Sequence, residues 1–229
     1  MRVVVTGASR GIGLELVRQF AQRGALVEAA TRHPASATAL RQLSEAYGDA
    51  IRVHRCDVSQ DSSVQRFARN LGVGPIDLLF NNAGVPPSRD RLHSMQPGDE
   101  LLQTLNVNAV GPLRVTRALL AHLRAGSERK IVHIGSALGS IAEAEDDSVG
   151  YRMSKAALNM ASRVLANGLR THGVTSVVVH PGWVQTDMGG PRARISVQES
   201  VERILELTGR LSLRQSGRFF DYRGKSLPW

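Results

Sequence analysis

Tyr151 and Lys155 stand four residues apart, a spacing that puts a phenol and an ammonium on one face of a helix, about one turn from each other. Together they suggest a proton-transfer pair. An unperturbed tyrosine has a pKa of about 10 and is a poor base near neutrality. A nearby ammonium favours the phenolate. Lowering the phenol by about three pH units takes about 4 kcal/mol, within reach if Lys155 and a second cationic group both lie close and desolvated. Taken alone, the same spacing is equally that of an incidental pair on an amphipathic helix.

A second candidate site opens the chain. Thr6-Gly-Ala-Ser-Arg-Gly-Ile-Gly13 follows the apolar run Val3-Val4-Val5 and precedes a helix-period pattern. Glycines at 7, 11 and 13 allow a tight turn close to a pyrophosphate, and the following helix offers its unpaired N–H groups to the anion. Sites that bind NAD usually carry an acid at the end of the second strand, for the ribose 2′-hydroxyl. Here the chain has Thr31-Arg32, and Arg10 lies within the glycine turn. Guanidinium groups suit a 2′-phosphate. NADP(H) is therefore favoured over the alternative, NAD(H).

The elements that must position these groups alternate. Strands are expected at Arg2–Thr6, Leu26–Thr31, Ile51–Cys56, Ile76–Phe80, Lys130–Gly135, Val174–His180 and Phe219–Tyr222. Helices are expected at Ile12–Arg23, Ala35–Tyr47, about Ser62–Leu71, about Gln103–Leu123, Gly150–Thr171 and Val197–Leu207, with a polar, proline-rich stretch from Pro86 to Gly98. Such alternation implies an α/β fold: a doubly wound, Rossmann-type parallel sheet of about seven strands with helices on both faces. Without a linker or a break in composition, residues 1–229 are read as one nucleotide-binding domain.

Composition narrows the function classes. The chain has 229 residues, 42% hydrophobic and 21% charged, as in globular proteins with a sizeable core. No apolar run is long enough to span a bilayer, and the N-terminus lacks a secretory signal, so a cytoplasmic protein is expected. Cys56 is the only cysteine, expected to be a small buried residue. No Cys/His cluster has metal-ligand spacing, and no metal is expected. The net charge of +9 is carried almost entirely by arginine. With 4% aromatics and no DNA-binding motif, nucleic acid is discounted. Peripheral association with an anionic membrane stays open.

The residues between these two sites carry a resemblance. In order, the chain has the glycine turn, Asp57-Val58, Asn81-Asn-Ala-Gly84, Asn108, Ser136, Tyr151-Arg-Met-Ser-Lys155, and Pro181-Gly182 with Thr186. This resembles the short-chain dehydrogenase/reductase family over nearly the whole chain. The resemblance implies hydride transfer between a nicotinamide and an alcohol or carbonyl carbon. It implies a catalytic set of Asn108, Ser136, Tyr151 and Lys155, in which Ser136 binds the substrate oxygen and the Asn108 main chain holds a relay water to Lys155. It further implies that the cofactor lies along Gly7, Ser9, Arg10, Gly11, Ile12, Gly13, Arg32, Asp57, Val58, Asn82, Ala83, Gly84, Tyr151, Lys155, Pro181, Gly182, Val184 and Thr186. Asp57 and Val58 would meet the adenine, Asn81 would hold the central sheet, and Thr186 would bind the carboxamide. A homodimer or homotetramer built on the two long helices is implied as well.

The second half, with His180-Pro-Gly-Trp-Val-Gln-Thr-Asp-Met-Gly-Gly190 and Ser216-Gly-Arg-Phe-Phe-Asp-Tyr222, is similar to the C-factor-like and sniffer-like branches of that family. They imply carbonyl reduction, developmental cell–cell signalling at the cell surface, and lipid head groups among the alcohol or carbonyl substrates. They also associate NAD with the C-factor side. A dinucleotide-binding signal or sensor without turnover is the competing reading. Two departures from the family pattern stand out. The acidic residues Glu143, Glu145, Asp146 and Asp147 lengthen the path from Ser136 to Tyr151, which makes Ser140 a rival to Ser136. They are expected to form a solvated loop. The segment after Thr186 is short and rich in Gly and Pro, so an open site is expected.

Overall fold

A computed structural model describes residues 1–88, 91, 93–94 and 98–229. Seven parallel strands lie in the order β3-β2-β1-β4-β5-β6-β7: β1 Arg2–Thr6, β2 Leu26–Thr31, β3 Ile51–Arg55, β4 Leu78–Asn81, β5 Lys130–Ile134, β6 Thr175–His180 and β7 Phe219–Asp221. The chain winds one way from β1 to β3 and the other way from β4 to β7. The crevice between β1 and β4 is therefore the topological switch point, where α/β sheets bind ligands at the strands' carboxyl ends.

Among the described residues there are seven α-helices, most of them packed on the sheet: α1 Gly11–Gln22, α2 Thr38–Tyr47, α3 Asp61–Asn70, α4 Asp99–Leu105, α5 Gly111–Ala125, α6 Val149–Gly168 and α7 Val197–Arg210. Strand side chains alternate between two cores. Val3 and Val5 of β1 face a core with Leu16, Phe20, Leu40, Val201 and Ile204, from α1, α2 and α7. Val4 faces the other, with Val64, Phe67, Val115, Leu119 and Leu169. Fully buried strands flanked by helices on both faces explain the near-continuous Val/Ile runs in the sequence.

Charge also enters the core. Glu28, in the middle of β2, has no exposed surface. It accepts from Arg2 Nε at 2.9 Å and pairs with His54 Nε2 at 2.6 Å. These contacts hold its carboxyl below the usual range against the opposing effect of burial.

Several boundaries depart from the sequence reading. The second helix starts at Thr38, because Pro34–Ser36 forms a separate 3-10 turn. The sixth ends at Gly168, and Arg170–His172 is again 3-10. The last helix runs on to Arg210. The long helix expected up to Leu123 is two helices joined by a π-turn at Asn106–Val110. Of the proline-rich stretch, residues 89–90, 92 and 95–97 lie outside the described residues.

Candidate active site

The glycine turn leaves β1 with Gly7 at φ +66°. A Cβ on Gly7 would lie 2.7 Å from Ala83 Cα, and one on Gly13 would lie 2.2 Å from the Gly7 carbonyl oxygen. The turn therefore closes on itself and on the β4 terminus with no room for a side chain. Arg10 precedes α1 in extended conformation and offers no side-chain cap. The first N–H groups of α1 thus stay free for a ligand. Gly7, Ser9, Arg10, Gly11, Ile12 and Gly13 line a cleft.

Asn82 fastens the turn from the β4 side. Its Nδ2 donates to Thr6 O at 2.9 Å and Gly7 O at 3.1 Å. The main-chain N–H groups of Asn82 and Ala83 both donate to Thr6 Oγ1. Asn81 points into the sheet and donates to Thr116 Oγ1 at 3.2 Å, with His133 Nδ1 also 3.2 Å away.

Asp57, Val58, Cys56, Thr31 and Arg32 close one end of the cleft. Cys56 is buried, and burial pushes its thiol up to about 12, so it is an inert thiol in the wall. Arg32 is exposed and, among the described residues, has no acidic partner within ion-pair distance. Arg10 differs from expectation: its Nη1 pairs with Asp187 Oδ2 at 2.8 Å across the cleft mouth. Arg10 has a counter-ion in the segment after Thr186, a partner that the glycine-turn pattern does not disclose.

Ala83, Gly84, Val85, Val107, Ile134 and Gly135 continue the cleft to Tyr151 and Lys155, both buried. Lys155 Nζ donates to Ile134 O at 3.0 Å and lies 5.6 Å from the Tyr151 ring centroid. Burial pushes the ammonium down to about 8 and the Tyr151 phenol up to about 12, against a smaller opposing pull from the Ser136 hydroxyl. Desolvation of the phenolate outweighs the other influence on Tyr151; the expected depression was for a phenol with both Lys155 and a second cation, such as an oxidised nicotinamide, beside it. Beneath them His133 is fully buried, and burial and the Lys155 charge hold it neutral, down to about 3.

Asn108 sits in the middle of the π-turn. Its Oδ1 accepts from Val85 N at 2.8 Å, and its Nδ2 donates to Ser154 Oγ at 3.0 Å. Ser154 in turn donates to Tyr151 O. π-turns inside helices frequently mark functional positions.

Ser136 caps the 3-10 turn Ala137–Gly139, which packs on α6 so tightly that a Cβ on Gly139 would meet Lys155 at 2.8 Å. Ser140 is engaged elsewhere and donates to Trp229 O at 3.2 Å. Ser136 is therefore the serine beside Tyr151. Pro181 and Thr186 line the cleft. Gly182 and Val184 are not among its wall residues: Gly182, at φ +86°, packs toward Ile195 and Tyr222, and Val184 bridges to Ile195. Residues 187–196 form turns held by Trp183 and Gln185, and no helical lid forms there.

The acidic insertion is solvent-exposed, as expected of a loop, and three of its carboxylates also meet arginines. Arg152, buried next to Tyr151, binds Asp147 at 2.7 Å and Glu145 at 3.2 Å, and Arg91 lies 3.6 Å from Asp146. The insertion thus reaches the helix of Tyr151 through one guanidinium.

Residues 1–195 match the short chain dehydrogenase family. The chain is a short-chain dehydrogenase/reductase. It is 47% identical to the C-signal of Myxococcus xanthus over 72% of this chain and all of that protein. Among solved structures, the NADPH-bound carbonyl reductase from chicken fatty liver superposes with a TM-score of 0.93 at 31% identity, covering 100% of this chain and 98% of the other. The carbonyl reductase Sniffer of D. melanogaster does so at 0.93 and 30%, covering 100% and 99%. The dehydrogenase/reductase is thus an NAD(P)-dependent oxidoreductase by family.

Val85, Val107, Ile134, Gly135, Asp187 and Met188 are wall residues that the sequence reading missed. Three of them directly follow a residue already singled out or follow its neighbour, so extending the stations at Gly84 and Thr186 along the chain would have found Val85, Asp187 and Met188.

Proposed function

We propose that this dehydrogenase/reductase reduces small carbonyl compounds with NADPH. The observation that carries the reading is the pair of ends of one cleft: at the ribose end an exposed Arg32 that, among the described residues, has no acid within ion-pair distance, and at the other a buried, protonated Tyr151 beside Ser136. The NADPH-bound chicken relative supports the same cofactor.

The cleft fits a dinucleotide. The free N–H groups at the start of α1 would take the pyrophosphate, Asp57 and Val58 the adenine, Arg32 the 2′-phosphate, and Pro181 and Thr186 the nicotinamide end. When bound, the nicotinamide supplies the hydride. The chain's own residues handle the proton. Tyr151, protonated near neutrality, donates its phenolic proton to the substrate oxygen as charge builds there. Ser136 orients and polarises that oxygen. Lys155 keeps a positive charge facing the phenol, and the π-turn at Asn108 gives the proton a route towards solvent. Val85 and Ile134 keep the cleft apolar between the two ends.

With turns in place of a helical lid, the mouth is open and admits varied substrates. Similarity to the C-signal favours a second setting for the same chemistry, a developmental signal at the cell surface acting on a lipid head group. The exposed face of α6, with Met153, Met160 and Val164, together with Val110 at the end of the π-turn and Leu113 in α5, is read as the contact of a homodimer or homotetramer. The test is a screen of purified protein with NADPH and NADH against small aldehydes, ketones and lipid head groups, read by loss of reduced-nicotinamide absorbance. Failure of every carbonyl with both cofactors, although the nucleotide binds, would instead favour a sensor that does not turn over.

A further inference from the structure

The adenine wall and the proton-transfer group stand at opposite ends of the cleft, yet the structure joins them behind the wall. The turn Asp57–Val58–Ser59 rests directly on the start of α5: a Cβ on Gly111 would lie 3.0 Å from Val58 Cγ2 and 3.1 Å from Val58 O. Arg114, one turn further along α5 and largely covered, gathers this junction. Its Nη1 donates to Val58 O at 3.3 Å and to Asn106 Oδ1 at 2.7 Å, and its Nε lies 3.1 Å from Asp61 Oδ1. Asn106 also donates to Ser59 O at 3.2 Å. Asn106 opens the π-turn that carries Asn108, and Asn108 holds the main-chain N–H of Val85 in the nicotinamide-side wall and Ser154 on α6. A run of hydrogen bonds, carried from Asn106 to Asn108 by the main chain of the π-turn, thus leads from the back of Val58 to the residue after Gly84 and to the helix of Tyr151.

We propose that Arg114 is a positioning residue that transmits occupancy of the adenine subsite to the π-turn, so that the nucleotide's adenine half sets the Asn108–Val85 and Asn108–Ser154 contacts from a distance. The inference rests on the nucleotide reading above. The physical ground is that a π-turn has one residue too many for the helical ladder and is held by its side-chain tethers. Here the tethers on one side are anchored on the wall that a purine would press. Loosening that anchor frees the turn without touching any group that meets the substrate.

The test uses adenosine 2′,5′-bisphosphate, which fills the adenine end and cannot reach Tyr151. Amide hydrogen exchange is followed at residues 57–59, at Val85 and at residues 106–110 in the whole protein. In the wild type the fragment slows exchange at all three places, at Val85 by about fivefold or more. In Arg114→Met, 57–59 still respond while the effect at Val85 and 106–110 drops to below about twofold. In parallel, kcat with NADPH falls and affinity for the fragment holds, a split that general destabilisation does not give. Should Arg114→Met fail to fold, Asn106→Ala removes the guanidinium's acceptor on the π-turn and is read the same way. The proposal is overturned if the wild type responds at 57–59 and not at Val85, or if Val85 responds equally in the variant. No response at 57–59 in the wild type removes the nucleotide reading itself, and this inference with it.

Discussion

Lys155 approaches Tyr151 over its ring, with Nζ 5.6 Å from the centroid, and gives its hydrogen bond to Ile134 O at 3.0 Å. The ammonium is therefore held by the strand and faces the phenol as a charge. Burial acts on the pair in opposite senses, raising the tyrosine to about 12 and lowering the lysine to about 8. In the reductive direction the enzyme needs the phenol protonated and the lysine charged. The first loss as pH rises is that of the lysine charge. Reductive kcat should hold near neutrality and fall as pH passes about 8, an apparent value that belongs to the pair. Lys155→Met should be slow throughout and lack that falling limb. A wild-type profile flat to pH about 10 would contradict the assignment.

The same burial makes a stability prediction of opposite sign to the activity one. In the unfolded chain Lys155 keeps its proton up to 10.5, and in the folded protein only to about 8. Between these values the unfolded state binds more protons, so this group's contribution to stability rises with pH there, and below about 8 its full cost is present. Lys155→Met should therefore be more stable than the wild type near neutrality by about 1–3 kcal/mol, after allowing for the lost bond to Ile134 O. The advantage should vanish above pH about 10.5. Urea titrations at several pH values decide it.

Tyr151→Phe removes the proton donor and leaves the α1 cradle untouched. Turnover should drop by about 100-fold or more, the scale of general acid catalysis, while NADPH affinity stays within about twofold. Fluorescence titration alongside steady-state rates would show it. Retention of most of the activity would mean that another group carries the proton.

Arg32→Asp should weaken NADPH relative to NADH by about 1–2 kcal/mol, the lower part of the range for charged hydrogen bonds because the side chain is exposed. Equal loss of both cofactors, measured by calorimetry, would show that Arg32 does not meet the 2′-phosphate.

On α6, Met153, Met160 and Val164 are 46, 65 and 61% exposed on one helical face. Wild-type protein should sediment as a homodimer or homotetramer, and Met160→Glu with Val164→Glu should halve the assembly or dissolve it. A wild-type monomer at micromolar concentration would remove the proposed contact.

Period and glycine placement made the strands of the sheet and the glycine turn legible, because both are local: Val3–Val5 is buried on both faces, and Gly7 and Gly13 are fixed by contacts within the turn and with its neighbour at Asn82 and Ala83. The π-turn was not legible. Asn106–Val110 reads as ordinary helix in the sequence, and what distorts it is tethering to Ser59, Val85 and Ser154, distant in the chain. Arg10 was read as free for a phosphate for the same reason, since Asp187 lies 177 positions away. The pairing of Glu145 and Asp147 in the exposed acidic run was not legible either, because their partner, Arg152, sits within a stretch dominated by Tyr151 and Lys155.

That last pairing gives the loop a use for protein engineers. Arg152 Nε donates to both the carbonyl and the carboxylate of Asp147, and its own N–H completes a bond to Ser148, a non-glycine residue at φ +51°. Its side-chain partners are Asp147 and Glu145, and further back it reaches only the main-chain carbonyl of Glu143. Libraries that randomise 141–144 and leave Asp147, Ser148 and Arg152 alone would vary the rim of the site while the reacting tyrosine keeps its mooring, so changes in substrate preference could be selected separately from losses of catalytic competence.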